Sequence, residues 1–296
     1  MTQKMNKFNS LKKTTKVDFA TYFGVIAAFI ITTILQNNGS LKRSAIGLLV
    51  PICCYMSMAV SLNLTVGILG ELSLGHAGFM SVGAFSGTLV YVVMSENAPQ
   101  PLALLLAFVV GGAVAGLFGV LVGVPVLRLS GDYLAIVTLA FGEIVKNVMN
   151  ACYLGVDSHG LHFSLKDSAS LNLETDGKVL INGAMGITGI KKASTFTIGI
   201  VLVIITLLVI LNLVNSRAGR AIKAIRDNEI AAGVMGINVF RYKVLSFCVG
   251  AFFAGVGGAL LGSHLSTIDP KMFNFLLTFN VLMFVVAGGL GSLTGS

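Results

Sequence analysis

Ala193-Ser-Thr-Phe-Thr-Ile-Gly-Ile-Val-Leu-Val-Ile-Ile-Thr-Leu-Leu-Val-Ile-Leu-Asn-Leu-Val-Asn-Ser216 is a run of 24 residues without a charge, bounded by Lys191 and Lys192 before it and by Arg217 after it. About 20 mainly apolar helical residues cross a hydrocarbon core roughly 30 Å thick, and an α-helix bonds its backbone groups internally where no water is at hand. The run is therefore a membrane span. Six further charge-free runs lie at 19–41, 44–70, 72–95, 97–127, 244–268 and 272–296. An eighth, 133–152, is interrupted by Glu143 and Lys146 and reads as a span with a buried acid or as a re-entrant piece; it is counted as a span. Composition agrees, since 55% of the 296 residues are apolar and only 11% charged, against about 25% charged in soluble domains. A water-soluble enzyme, a DNA-binding module and a disordered chain are excluded. Strand alternation is scarcely present, and the runs far exceed the roughly 10 residues of a barrel strand. The expected fold is all-α: a polytopic membrane protein of about eight transmembrane helices, a single membrane domain over 19–296.

Charge orients the chain. The net charge is +8, and Lys4, Lys7, Lys12, Lys13 and Lys16 stand in the first sixteen residues without an acid. Beside a membrane such a tail, 1–18, marks a cytoplasmic end rather than a nucleic-acid arm. No small-residue cleavage site follows it, so 19–41 is a true span and not a signal peptide. With eight spans the basic stretch 215–243, holding Arg217, Arg220, Lys223, Arg226, Arg241 and Lys243, also falls inside; with seven it would fall outside. The polar interval 151–192 balances four acids against four bases and reads as an external loop with short structure of its own. Cys53, Cys54, Cys152 and Cys248 have no CxxC spacing, so neither a disulfide framework nor a metal or other cofactor is expected.

Glycine and alanine recur at four-residue spacing within spans, at Gly250, Ala254, Gly258 and Gly262 and at Ala115, Gly119 and Gly123. That spacing lets helix backbones approach closely and reads first as packing. Charged side chains in a span cost about 2.5 to 3.5 kcal/mol or more and so face protein or water. Candidates to line a solute path are Glu71, Ser73 and His76 in Gly70-Glu-Leu-Ser-Leu-Gly-His-Ala-Gly78, together with Asn63, Thr138 and Glu143. Ser73 and His76 are one helical turn apart, within reach of a mutual hydrogen bond, yet no third group orients the imidazole and no GxSxG elbow occurs, so no catalytic residue is assigned. Glu143 stands three residues before Lys146, the spacing of an intrahelical ion pair. Neither HExxH nor GxxxxGK[ST] is present, and any nucleotide must bind another chain.

In the basic stretch, Ala221, Ile222, Ala224 and Ile225 share a helix face while Arg220, Lys223 and Asp227 point elsewhere. Gly233 and Gly236 interrupt the pattern before Ile237 and Val239 resume, which predicts two short helices meeting at a bend. The small apolar stripe with its charged rim fits docking into a protein groove better than lying on anionic lipid.

Ala231-Ala-Gly-Val-Met-Gly236, preceded by Glu229, resembles the EAA loop of bacterial ABC importer permeases. With Asn63-Leu-Thr-Val-Gly67, Glu71-Leu-Ser-Leu-Gly-His-Ala-Gly-Phe79, the stretch Arg128-Leu-Ser-Gly-Asp-Tyr-Leu-Ala-Ile-Val-Thr-Leu-Ala-Phe-Gly-Glu-Ile144 and Val286-Ala-Gly-Gly-Leu-Gly-Ser292, the chain is similar to the LivM-type permeases of branched-chain amino acid uptake from about residue 44 onward. The resemblance implies a subunit in a bacterial cytoplasmic membrane, without catalysis of its own, that translocates leucine, isoleucine and valine. It further implies a LivH-like second permease, two ABC ATPase subunits, an extracytoplasmic solute-binding protein and the lipid bilayer as partners, and no nucleic acid. ATPase coupling would fall to Arg220, Lys223, Arg226, Asp227, Glu229, Ala231, Ala232 and Gly236. Two departures stand out: Ile230 occupies the place of a glutamate in the general EAA pattern, and the sequence ends at Ser296, where the family usually continues into further membrane helix. A urea or short-amide permease and an ion-coupled secondary transporter are the alternatives.

Overall fold

A computed structural model describes residues 21–36, 38, 42–95, 98–127, 132–157, 160–171, 177–293 and 295. The basic tail 1–18 lies outside the described residues, as do the ends of the expected first span and the Arg128–Gly131 part of the motif that opens the fifth. In chain order the helices are α1 (Thr21–Gln36), α2 (Arg43–Asn63), α3 (His76–Met94), α4 (Gln100–Val126), α5 (Asp132–Ala151), α6 (Phe196–Asn215), α7 (Arg217–Asp227), α8 (Glu229–Val234), α9 (Val239–His264) and α10 (Phe275–Gly288). Seven stretches among the described residues are long and apolar enough to span a membrane, and α1 adds a shorter apolar helix. The interrupted run at 133–152 is helical to Ala151 and is one of the seven, with Glu143 and Lys146 paired one turn apart.

Three boundaries differ from the sequence pattern. Helix α2 continues through a π-helical turn, Leu64–Leu69, and stops at Gly70 with φ 85°. Residues 70–75 then run as irregular backbone, so the apolar run 72–95 becomes helix only from His76. The last run ends as helix at Gly288, since Gly289 and Gly291 take φ of 102° and 82° and break it well before Ser296. The polar interval also holds strands that its sequence scarcely announces. Tyr153–Asp157 (β1), Gly160–Ser164 (β2) and Lys178–Asn182 (β3) make an antiparallel sheet in the order β2-β1-β3, and Ile187–Thr188 (β4) pairs with Thr267–Ile268 (β5). Each is five residues or fewer, too short for alternation to stand out.

The sheets and the α7–α8 loop sit at opposite ends of the bundle, because α6 and α9 each run from one to the other. Helices α3, α4 and α9 form its centre with backbones nearly touching. A Cβ on Gly258 would stand 2.0 Å from the Met80 carbonyl oxygen, and one on Gly83 would stand 2.2 Å from Gly255 Cα. The four-residue stripes are thus packing surfaces, where small side chains give dispersion contact between backbones. Helices α5 and α10 are the least covered of the seven spans.

Candidate functional site

The loop between α6 and α9 is built by three successive side-chain caps. Ser216 Oγ accepts from Gly219 N at the start of α7, Asn228 Oδ1 from Ala231 N at the start of α8, and Asn238 Oδ1 from Arg241 N at the start of α9. The bend falls at Asn228, in extended conformation, and not at the glycines the sequence pointed to. A capping Asn both ends one helix and starts the next, whereas Gly233 is absorbed inside α8 and Gly236, at φ 83°, only terminates the loop before α9.

The face that looks outward also differs from the one the sequence pattern predicts. Ile222 and Ile225 are buried at 0% and 4% exposure against the chain's own core, so the expected docking stripe is already occupied. The outward apolar surface is Ile230, Val234 and Met235, exposed at 81%, 83% and 82% on and just after α8. Among the residues singled out in the sequence, Ala232 is buried while Arg220, Lys223, Arg226, Asp227, Glu229, Ala231 and Gly236 are exposed. An open cavity of about 530 Å³ lies behind them, lined by Leu69, Gly70, Glu71, Ile225 and residues 226–229.

The loop is fastened by charge to α9 and to the chain that follows α2. Lys243 Nζ in the first turns of α9 pairs with Glu71 Oε1 at 2.6 Å and with Glu229 Oε2 at 2.9 Å. Arg226 Nη1 donates to the Gly67 carbonyl oxygen at 2.6 Å. Gly67 meets the C-terminal turn, where Asn63 Nδ2 donates to the Ser292 carbonyl at 2.9 Å and Asn63 Oδ1 accepts from Gly291 N at 3.0 Å. Of the six solute-path candidates, Asn63 and Glu71 therefore stand at the α7–α8 end of the fold. Lys243 passed in the sequence as one more cation in a basic stretch; its burial is the signal that only the fold supplies.

The other candidates gather at the entry to α3. Thr138 Oγ1 on α5 accepts from Leu74 N at 3.1 Å, and Thr278 Oγ1 on α10, unmarked in the sequence, accepts from Ala77 N at 2.9 Å. Thr278 thus serves an amide that the start of α3 leaves without an intrahelical partner, and Thr138 serves one in the irregular segment before it. Ser73 and His76 are fully buried, but Ser73 Oγ and both imidazole nitrogens have no hydrogen-bond partner among the described residues. The expected Ser73–His76 bond is not formed, because Ser73 precedes α3 in the irregular segment and one-turn spacing does not apply there. The His76 ring instead meets Phe79 edge-on, with centroids 6.0 Å apart. Glu143 is paired with Lys146 and borders a small recess shared with Gly75, Gly78, Asn274 and Thr278.

Residues 44–296 match the family described as branched-chain amino acid transport system / permease component. The chain is 33% identical over 264 residues to the high-affinity branched-chain amino acid transport system permease protein LivM of Salmonella typhimurium, covering 85% of this chain and 60% of that protein. It is 33% identical to the LivM of Escherichia coli over 80% of this chain and 57% of that protein. It is 26% identical to the LivH permease of Salmonella typhimurium over 82% and 77% respectively. The chain thus spans about 60% of the length of the LivM proteins it matches. No solved structure matches.

Proposed function

This chain belongs to the branched-chain amino acid transport system permease family, and on that premise we propose that it is the membrane-spanning subunit of an ABC importer for leucine, isoleucine and valine in a bacterial cytoplasmic membrane. ATP is hydrolysed by two separate ABC subunits, and this chain performs no chemistry itself. The N-terminus, the α7–α8 loop and the C-terminal turn face the cytoplasm; the β1–β3 sheet faces out, towards an extracytoplasmic solute-binding protein. The observation that carries the reading is the capped α7–α8 bend, which presents Ile230, Val234 and Met235 to solvent while its roots are ion-paired to the end of a membrane helix. Three apolar side chains held out on and just after a short helix are the pattern of an element that fills a partner's groove. Around them Arg220, Lys223, Arg226, Asp227, Glu229, Ala231, Ala232 and Gly236 shape the contact.

The uncovered faces of α5 and α10 fit a LivH-like second permease, with the solute passing between the two subunits. Thr138, Glu143 and Thr278 border that side, while Ser73 and His76 are sealed in this conformation and become accessible as the helices part. A zwitterionic solute meets the α3 entry, where a helix start in the membrane favours its carboxylate, and apolar side chains receive its branched end.

The test is co-purification followed by titration. The tagged chain, expressed with the two ATPases and second permease of its own gene cluster, should retain both ATPases. The associated solute-binding protein should bind leucine, isoleucine and valine and not urea. Loss of the ATPases overturns the importer reading, and preference for urea overturns the substrate alone.

A further inference from the structure

Lys243 is 3% exposed, one of the most deeply covered charged side chains among the described residues. A buried ammonium is tolerated only when paired and hydrogen-bonded. Its two partners come from elements with different tasks: Glu229 opens α8, and Glu71 belongs to the irregular segment that joins the π-helical turn to α3. A second strut runs beside it. The Gly67 carbonyl, an acceptor left over at a helix end, is taken by Arg226 from the last turn of α7. Gly67 is closely packed, since a Cβ there would stand 1.8 Å from Asn63 Oδ1 and 2.3 Å from Gly291 N. Besides these struts α8 is held by its flanking peptide, through the bend at Asn228 and the turn before α9, and by the single buried side chain of Ala232, so most of its fastening to segment 70–75 runs through Lys243.

Resting on the importer reading above, we propose that Lys243 is a positioning residue for energy coupling: it holds Glu229 and Glu71 on one ammonium, so that displacement of α8 by the ATPases moves segment 70–75 and the start of α3 instead of being absorbed at Asn228. Arg226 does the same for the π-helical turn. Lys243 is not a docking contact, since it is buried while Ile230, Val234 and Met235 face outward.

The experiment uses the whole complex in proteoliposomes, with leucine uptake and ATP hydrolysis measured in the same vesicles. The double variant E71Q/K243M removes the tether without leaving a buried ion unpaired at that pair. It should raise the ATP hydrolysed per leucine moved about tenfold, the size of an ordinary coupling effect. Lys243→Arg, which keeps a cation between both carboxylates, should hold the ratio within about twofold of the wild type. A variant that is merely unstable loses hydrolysis and uptake in proportion and leaves the ratio alone. A wild-type ratio in E71Q/K243M, or a K243R protein as uncoupled as the double variant, overturns the proposal. A wild-type complex with no ATP-driven uptake overturns the importer reading instead, and the proposal falls with it.

Discussion

Replacing Gly258 by alanine adds one methyl group at the closest approach of α3 and α9. The new Cβ would stand 2.0 Å from the Met80 carbonyl oxygen and 3.0 Å from Ala84 N. Carbon and oxygen settle at about 3.3 Å, so the helices must part locally by roughly 1.3 Å. Both obstructing atoms are backbone and cannot rotate away. The same seam holds Gly83 against Gly255 and Gly262 against Thr88, and a gap of only about 0.5 to 1 Å forfeits a quarter to a half of each contact. Overpacking typically costs about 1–3 kcal/mol; with rigid neighbours the upper end applies, about 3 kcal/mol or roughly a hundredfold in the folding equilibrium. Gly233→Ala is the matched control, because nothing lies within 4 Å of its added methyl group. There the change relieves the conformational freedom of a helical glycine and stabilises by about 0.5–1 kcal/mol. Thermal unfolding in detergent, followed by a thiol-reactive dye reaching the buried Cys53 and Cys54, should move the midpoint down for G258A and slightly up for G233A. A G258A protein that melts at or above the wild type refutes the close-packing argument.

Aspartate at Ile230, Val234 or Met235 leaves the fold intact, since each is more than four-fifths exposed; each should weaken ATPase retention about ten- to hundredfold, from the roughly 1.5–3 kcal/mol of burial lost per side chain. Thr278→Val strands the Ala77 amide and should destabilise by about 1–3 kcal/mol in the same melting assay, whereas Thr278→Ser keeps the acceptor and should melt like the wild type. Asn228→Ala removes the α8 cap at a cost of about 1 kcal/mol, visible as roughly fivefold faster amide exchange across 229–234; unchanged exchange would mean that α8 is held from elsewhere.

The spans were legible because the physics that sets them is local. A charge-free run of 24 residues has no other stable solution in lipid, and the Glu143–Lys146 spacing announced a pair that rescues α5. The EAA-like segment was equally plain as a motif. Its geometry was not, for two reasons. Periodicity groups Ile222 with Ile225 but cannot say whether that face meets a partner or the chain itself, and the choice depends on residues far along the sequence. Glycine also competes with asparagine as a punctuation mark, and here the cap at Asn228 outweighed Gly233. The pairing of Lys243 with Glu71 across 172 positions leaves no local trace, nor does the meeting of Thr278 with the amide of Ala77.

The π-helical turn at Leu64–Leu69 carries a surplus residue relative to ordinary α-helix. Removing one residue anywhere in it would let α2 wind regularly and swing everything after it by roughly 100°, carrying Glu71 away from Lys243 and the Gly67 carbonyl away from Arg226. Length at this spot is therefore as constrained as identity: the buried side chains of 64–69 fix what can stand there, and the position of everything after them fixes how many residues there can be.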